Sequence, residues 1–302
     1  MTERTLAGRR TAEPSAAGVT APRAAEATAQ CAAEVTSLRA AEVTSLRAGA
    51  VQRRADWLAE EVPVALVFNG ISHAVMMASP SALDDFALGF GLTEGLLASA
   101  AELYGCEAVP VAEGIELRLD VSSACEWRLK EARRTLAGRT GCGLCGTDSL
   151  QQVRRLLPRA PAVTVPAAAL AAAQRALREH QALQQLSGAT HAAAWCALDG
   201  SIVLSREDVG RHNALDKVIG AMVHSGIDAR QGFLCITSRA SFEMVQKAVI
   251  AGAGVLAAVS APTALAVDVA TEAGLALAGF VRGDDLVAYS FPERLGLLAS
   301  GQ

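Results

Sequence analysis

The chain has 302 residues, 51% of them hydrophobic, with a formal net charge of −4 and a pI near 5.8. That length and apolar content can bury one large or two modest cores without staples, and the acidic balance excludes general binding to a nucleic-acid backbone. Seven irregularly spaced cysteines, with no leader pattern at the start and no apolar run reaching the about 20 residues a membrane helix needs, predict a cytoplasmic protein off the membrane.

Residues 1–55 read as a disordered low-complexity tail, in which Glu34-Val35-Thr36-Ser37-Leu38-Arg39-Ala40 recurs as Glu42-Val43-Thr44-Ser45-Leu46-Arg47-Ala48. Two copies are too few for a solenoid, and order is expected from Val62. Residues 56–160 form an N-terminal α+β lobe. Its strand Val64–Phe68 turns at Asn69-Gly70 into a return strand, Ile71 to Met77. Ser79-Pro80-Ser81 opens a helix running through Leu97, with Asp84 and Asp85 in its first turn. A strand at Ile115–Leu119, a helix near Glu126–Leu136 and the loop Gly141-Cys142-Gly143-Leu144-Cys145-Gly146 follow, then a short helix stopped by Pro158.

Residues 161–186 are Ala- and Leu-rich from Pro166 to Leu186 and suit a linker helix between two lobes. In the second lobe, residues 187–302, apolar strands are expected at Ala192–Leu198, Ser201–Ser205, Phe233–Thr237, Val255–Val259, Leu275–Phe280 and Leu286–Tyr289. Helices are expected at Asn213–His224, Phe242–Ala251 and Thr263–Glu272. Such alternation predicts an α/β lobe whose largely parallel sheet is led by a hairpin and covered on both faces.

Ligands of open α/β sheets sit beyond the carboxyl ends of the strands. Those ends carry Arg206–Asn213, Ser238-Arg239, Ser260-Ala261-Pro262-Thr263 and Arg282-Gly283. The first three open helices, whose free N–H groups suit phosphate, and Arg206, Arg211, Arg239 and Arg282 would add forked donors. The ordinary alternative is that Asn213, Ser238 and Thr263 only cap helices and that the arginines are solvated. Taken together, the four segments favour an anionic, nucleotide-like ligand. His212 is a candidate general acid or base, or a plain hydrogen-bonded loop histidine. Glu207, Asp208 and Asp216 are expected in salt bridges rather than catalysis.

The cysteine loop also spells G-x-G-x-x-G, but a helix precedes it rather than the strand that a dinucleotide fingerprint needs. Its C-x-x-C lacks a second ligand pair for structural zinc, and no H-x-E accompanies it for a zinc deaminase. A helix–loop–helix setting is also wrong for a thioredoxin-type redox motif. Three glycines in the loop, Arg139, and a helix opening after Thr147-Asp148 favour a mobile thiolate able to take up and pass on sulfane sulfur. Zinc binding and disulfide exchange stay open as alternatives.

From about Val62 to Phe291 the chain resembles the FdhD family of sulfurtransferases that are accessory to formate dehydrogenase. The likeness lies in the cysteine loop, in Arg206-Glu207-Asp208-Val209-Gly210-Arg211-His212-Asn213-Ala214-Leu215-Asp216-Lys217, in Ser238 to Lys247, in Ser260 to Ala266, and in Leu92-Thr93-Glu94-Gly95. The resemblance implies a cytidine-deaminase-like three-layer C-terminal domain with a mixed sheet and no deaminase zinc, and a homodimer. It further implies that a cysteine desulfurase donates sulfur, that Cys142 carries it as a persulfide with Cys145 assisting, and that the acceptor is the bis(molybdopterin guanine dinucleotide) cofactor of formate dehydrogenase. By the same likeness, Phe280, Val281, Arg282, Gly283, Asp284 and Asp285 lie where the family contacts that cofactor, with no metal bound directly by the protein. Asp284 and Asp285 depart from the basic or neutral residues more usual there.

Overall fold

The computed structural model describes residues 37–137 and 156–297. The cysteine loop and the short helix expected after it, up to residue 155, lie outside them.

The first ordered element falls inside the expected tail. Strands β1 (Leu38–Arg47) and β2 (Ala50–Ala59) pair antiparallel along their full length, from Leu38 opposite Ala59 to Arg47 opposite Ala50. Ala48 and Gly49, both at positive φ (48° and 82°), make the two-residue turn that matches strand twist. The second repeat therefore does not stay unstructured. Its Val43, Thr44 and Leu46 supply strand-forming side chains, and Ala-Gly supplies the reversal.

The N-terminal lobe is a four-stranded sheet in the order β4-β3-β6-β5, built from β3 (Val62–Phe68), β4 (Ile71–Ala78), β5 (Leu103–Val111) and β6 (Gly114–Val121). Val64, Leu66 and Phe68 alternate inward with Leu117, Leu119 and Val121 and bury one face on helix α1 (Leu83–Thr93). Strand β5 was not apparent in the sequence because it is a half-exposed edge containing Pro110, with no clean alternation. Helix α1 stops at Thr93 rather than Leu97. Gly95 turns left-handed (φ 74°), and the Leu96 and Leu97 N–H groups fold back onto the Gly91 carbonyl. Helix α2 (Ser123–Ala137) begins where Ser122 Oγ accepts the Cys125 N–H at 3.1 Å and leads toward the cysteine loop.

The Ala-rich segment forms two helices, α3 (Ala167–Leu177) and α4 (Ala182–Ser187), separated by a 3₁₀ turn. It is not a bridge between lobes. Leu170, Ala173 and Leu177 pack with Ala194, Cys196 and Phe233, so α3 forms an outer layer of the second lobe.

That lobe carries a six-stranded mixed sheet, order β12-β11-β10-β9-β7-β8. Its strands are β7 (His191–Ala197), β8 (Ile202–Asp208), β9 (Gly232–Ile236), β10 (Val255–Ala258), β11 (Ala276–Arg282) and β12 (Asp285–Ser290). Strands β9, β10 and β11 run parallel, whereas β7 and β12 run antiparallel to their neighbours. Helices α5 (Arg211–His224), α6 (Phe242–Ile250) and α7 (Ala264–Ala273) cover the other face, where Leu215, Val218, Met244 and Val245 meet Trp195, Leu234 and Leu256. With both faces covered, β9 and β10 are buried along their whole length, as their uninterrupted apolar sequences require.

The lobes join where α1 crosses α5. A Cβ on Gly89 would lie 1.8 Å from the Asp216 carbonyl oxygen, and one on Gly220 would lie 1.9 Å from that of Asp85, so the two backbones touch directly. Among the described residues no helix is long and apolar enough to cross a membrane.

Candidate functional site

Much of the polar sequence after β8 goes into this junction. Arg206 is held by Asp85, with Nε at 2.8 Å and Nη2 at 2.7 Å from Oδ2, while His224 Nδ1 sits 2.9 Å from the other Asp85 oxygen. Asp208 and Lys217, both without exposed side-chain surface, form a 2.6 Å ion pair. Asp208 also accepts the N–H groups of Ser79 and Gly210 and the Asn213 side-chain amide, and Lys217 donates to the Ser79 carbonyl. Asn213 further donates to the Met77 carbonyl at 2.8 Å. Burial pulls the Lys217 ammonium below its ordinary pKa against the opposing pull of Asp208.

A second buried cation, Lys247, donates to Thr93 Oγ1, Glu94 Oε1 and both Asp216 oxygens at 2.8–3.0 Å. Burial alone would lower its pKa, but Asp216 and Glu94 outweigh burial and raise it. Arg206, Asn213, Asp208 and Asp216 are thus structural partners that tie α1 and the end of β4 to the second lobe. The salt-bridging expected for the two aspartates is what the structure has.

The four polar segments do leave one edge of the six-stranded sheet. β8 runs antiparallel to β7, and β7 antiparallel to β9, so the ends of β8, β9, β10 and β11 point the same way and the start of β7 joins them. Along that edge lies a cavity of about 620 Å³ lined by residues including Gln174, Arg178, Gln184, Thr190, His191, Thr237 and Val259. A smaller cavity of about 180 Å³ shares Gln174, Arg178 and Val259 and adds Arg175, Val281, Arg282 and Gly283. The groove therefore follows the strand ends from β7 to β11, between the sheet and α3, where an α/β sheet accommodates a ligand.

Of the residues singled out in the sequence, Arg282, Gly283 and Val281 line the smaller cavity. Arg282 Nε donates to the Val259 carbonyl at 3.0 Å, and its guanidinium lies 5.8 Å from the centre of the Phe280 ring. Phe280 sits at φ 51°, a left-handed conformation costly for an aromatic residue, at an irregularity in the β11–β12 register; the ring is 40% exposed. Asp284 pairs with Arg175 at 2.6 Å, while Asp285 begins β12 opposite Arg282.

Arg211 opens α5. Its Nε is buried with no hydrogen-bond partner among the described residues. It lies close enough to His191 to act on that imidazole, whose pKa is lowered first by burial and then by the charges of Arg211 and His212. His212 Nε2 is 2.9 Å from Glu243 Oε2 and holds that carboxyl below its usual value; both residues line a third cavity, of about 170 Å³, at the junction with Phe90, Phe242 and Lys247. Thr263 caps α7, its Oγ1 accepting the Ala266 N–H at 3.3 Å. The other two expected caps are not caps: Gly210 and Ser241 precede α5 and α6, Asn213 lies inside α5, and Ser238 is buried with its hydroxyl donating to the Arg239 carbonyl. Arg239 is exposed. Cys142 and Cys145 lie outside the described residues.

Sequence reading missed Gln174, Arg178, His191 and Thr237 as groove residues. One signal was present: Gln174 interrupts the apolar stripe Leu170, Ala173, Leu177 of α3, where a polar side chain needs a reason.

Residues 59–296 match the FdhD/NarQ family. The chain is 59% identical over 241 residues to the sulfur carrier protein FdhD of Variovorax paradoxus, covering 80% of this chain and 87% of that one. It is 56% identical over 245 residues to the protein of the same name from Bordetella petrii, covering 81% and 88%. In structure it is similar to a protein described as a formate dehydrogenase accessory protein from Desulfotalea psychrophila. The TM-score is 0.68 at 20% identity, covering 85% of this chain and 99% of the other, which is a likeness of fold. The chain belongs to the FdhD/NarQ family.

Proposed function

We propose that this chain is a sulfur carrier in formate dehydrogenase maturation, which takes sulfur from a cysteine desulfurase and passes it to a molybdenum cofactor seated at the sheet edge. Relatives at 59% and 56% identity carry the name sulfur carrier protein, and the loop Gly141–Gly146 supplies two cysteines flanked by glycine. On this reading the Cys142 thiolate attacks the terminal sulfur of the donor's persulfide. A new S–S bond forms on Cys142, and the donor cysteine leaves as a thiolate. On delivery the Cys145 thiolate would attack the Cys142 sulfur, closing a Cys142–Cys145 disulfide as the outer sulfur leaves at the sulfide level for the acceptor. The C-terminal lobe is read as cytidine-deaminase-like without the deaminase zinc, and the working form as a cytoplasmic homodimer.

One observation carries the placement of the acceptor. Arg211 Nε, at the start of α5, is a buried donor without a partner among the described residues, and the Arg211 charge acts on His191, which lines the groove that Arg178 and Arg282 border. A buried donor without an acceptor costs stability, and the phosphates of a guanylated pterin would relieve that cost. Arg211, Arg239 and Arg282 would hold those phosphates, with Phe280 offering an aromatic face. Arg206 is engaged by Asp85 and so belongs to the lobe junction.

The test is the intact mass of the full chain after incubation with a cysteine desulfurase and cysteine. The expected result is a cyanide-labile gain of one sulfur, lost in Cys142→Ala. Equal loading of that variant would contradict the assignment. A Cys142→Ala/Cys145→Ala protein that still activated formate dehydrogenase would instead make the chain a cofactor-binding chaperone without persulfide chemistry.

A further inference from the structure

Gln174 is 95% removed from solvent, being 5% exposed, on the face of α3 that meets the sheet. Its Nε2 donates to the Ile236 carbonyl at the end of β9 and to the Ala257 carbonyl of β10, both at 3.2 Å. Turning the amide over would set its oxygen against those two carbonyl oxygens, so the strand ends dictate its orientation. That leaves Oε1 buried, without a hydrogen-bond partner among the described residues, on one of the three side chains that line both groove cavities. The remaining walls are rich in amides, with Gln181, Gln184 and Gln185, and the Gln184 oxygen is already satisfied by the Thr190 N–H at 2.8 Å. Gln174 Oε1 is thus a fully buried acceptor on this groove that lacks a donor among the described residues.

We propose that Gln174 is a specificity-determining residue whose Oε1 accepts a hydrogen bond from the N–H edge of a 2-amino-4-oxopyrimidine ring, the edge that guanine and pterin share. Arginine beside a neutral acceptor suits a nucleotide-like ligand, with phosphate on one and ring N–H on the other. Adenine in the same place would turn a ring lone pair toward Oε1, setting acceptor against acceptor. A site built to accept an N–H rejects an analogue that lacks it more strongly than an apolar pocket rejects a change of size. The inference rests on the cofactor reading above.

The experiment is equilibrium binding to the full chain of guanosine diphosphate, adenosine diphosphate, pyrophosphate and 6-hydroxymethylpterin, for wild type and Gln174→Met. Wild type should prefer the guanine over the adenine nucleotide by about tenfold or more, as one mismatched buried hydrogen bond implies. In Gln174→Met either the guanine nucleotide or the pterin should weaken by a similar factor, which tells the two sources apart, while pyrophosphate affinity stays unchanged and shows the groove intact. Equal wild-type affinity for the two nucleotides would overturn the proposal even if the variant failed to fold. So would a folded variant that lost affinity for neither ring. Wild type that bound none of the four ligands would overturn the cofactor reading itself.

Discussion

The lobe junction and the sheet-edge groove both take polar side chains from the second lobe and treat them in opposite ways. At the junction each buried charge is answered: Lys217 by Asp208, Lys247 by Asp216 and Glu94, Arg206 by Asp85. Near the groove, Arg211 Nε and Gln174 Oε1 are buried without partners among the described residues. A folded protein satisfies its buried polar atoms almost everywhere, so on the proposed function the junction charges hold the lobes together and these two atoms await a ligand.

The largest effect should come from breaking the junction. Lys217→Met leaves the Asp208 carboxylate buried and unpaired, at a cost of about 3–5 kcal/mol, read as a lowered midpoint in chemical denaturation. Gly220→Ala forces a methyl group against the Asp85 carbonyl and should cost at least about 1–3 kcal/mol as α1 and α5 are pushed apart. Arg211→Met sharpens the contrast, because no partner of its Nε is orphaned. Its unfolding midpoint should stay close to wild type, while affinity for guanosine diphosphate falls about tenfold and depends less steeply on salt. A change in stability as large as that of Lys217→Met would place Arg211 with the junction.

The smallest effect is a pH dependence. Burial, Arg211 and His212 lower the His191 pKa, so the imidazole is neutral at pH 7 and takes its proton at a lower pH than an ordinary histidine. Protonation adds a positive charge to the groove wall, so anion affinity should rise modestly as pH falls through that range. His191→Phe should flatten the rise. The same depression makes the folded state bind the proton less readily than the unfolded chain, so stability declines as pH drops below about 6.5, the unfolded value.

The alternating apolar runs of the second lobe gave its strands and helices nearly residue for residue, because buried strands and amphipathic helices write their period into the chain. The convergence of four polar segments on one edge follows from that order. What the sequence did not disclose was long-range. Arg206 and Arg211 look alike in Arg206–Asn213, yet one meets Asp85, 121 residues away, and the other has a buried Nε without a partner among the described residues. Gln174 reads as one more polar residue in an Ala-rich helix until Ile236 and Ala257 are brought beneath it. The β1–β2 ribbon was hidden by its low hydrophobicity, since its stability draws on a turn and cross-strand pairs rather than on burial.

The most direct measurement is a chase of labelled sulfur. The full chain is loaded from labelled cysteine through a desulfurase, freed of donor, and mixed with molybdenum cofactor. Sulfur carriage predicts that label leaves Cys142 and appears on the cofactor, and that Arg211→Met loads normally but hands over slowly. Label that stays on the protein with cofactor present, or that reaches the cofactor equally well from Cys142→Ala, would contradict it.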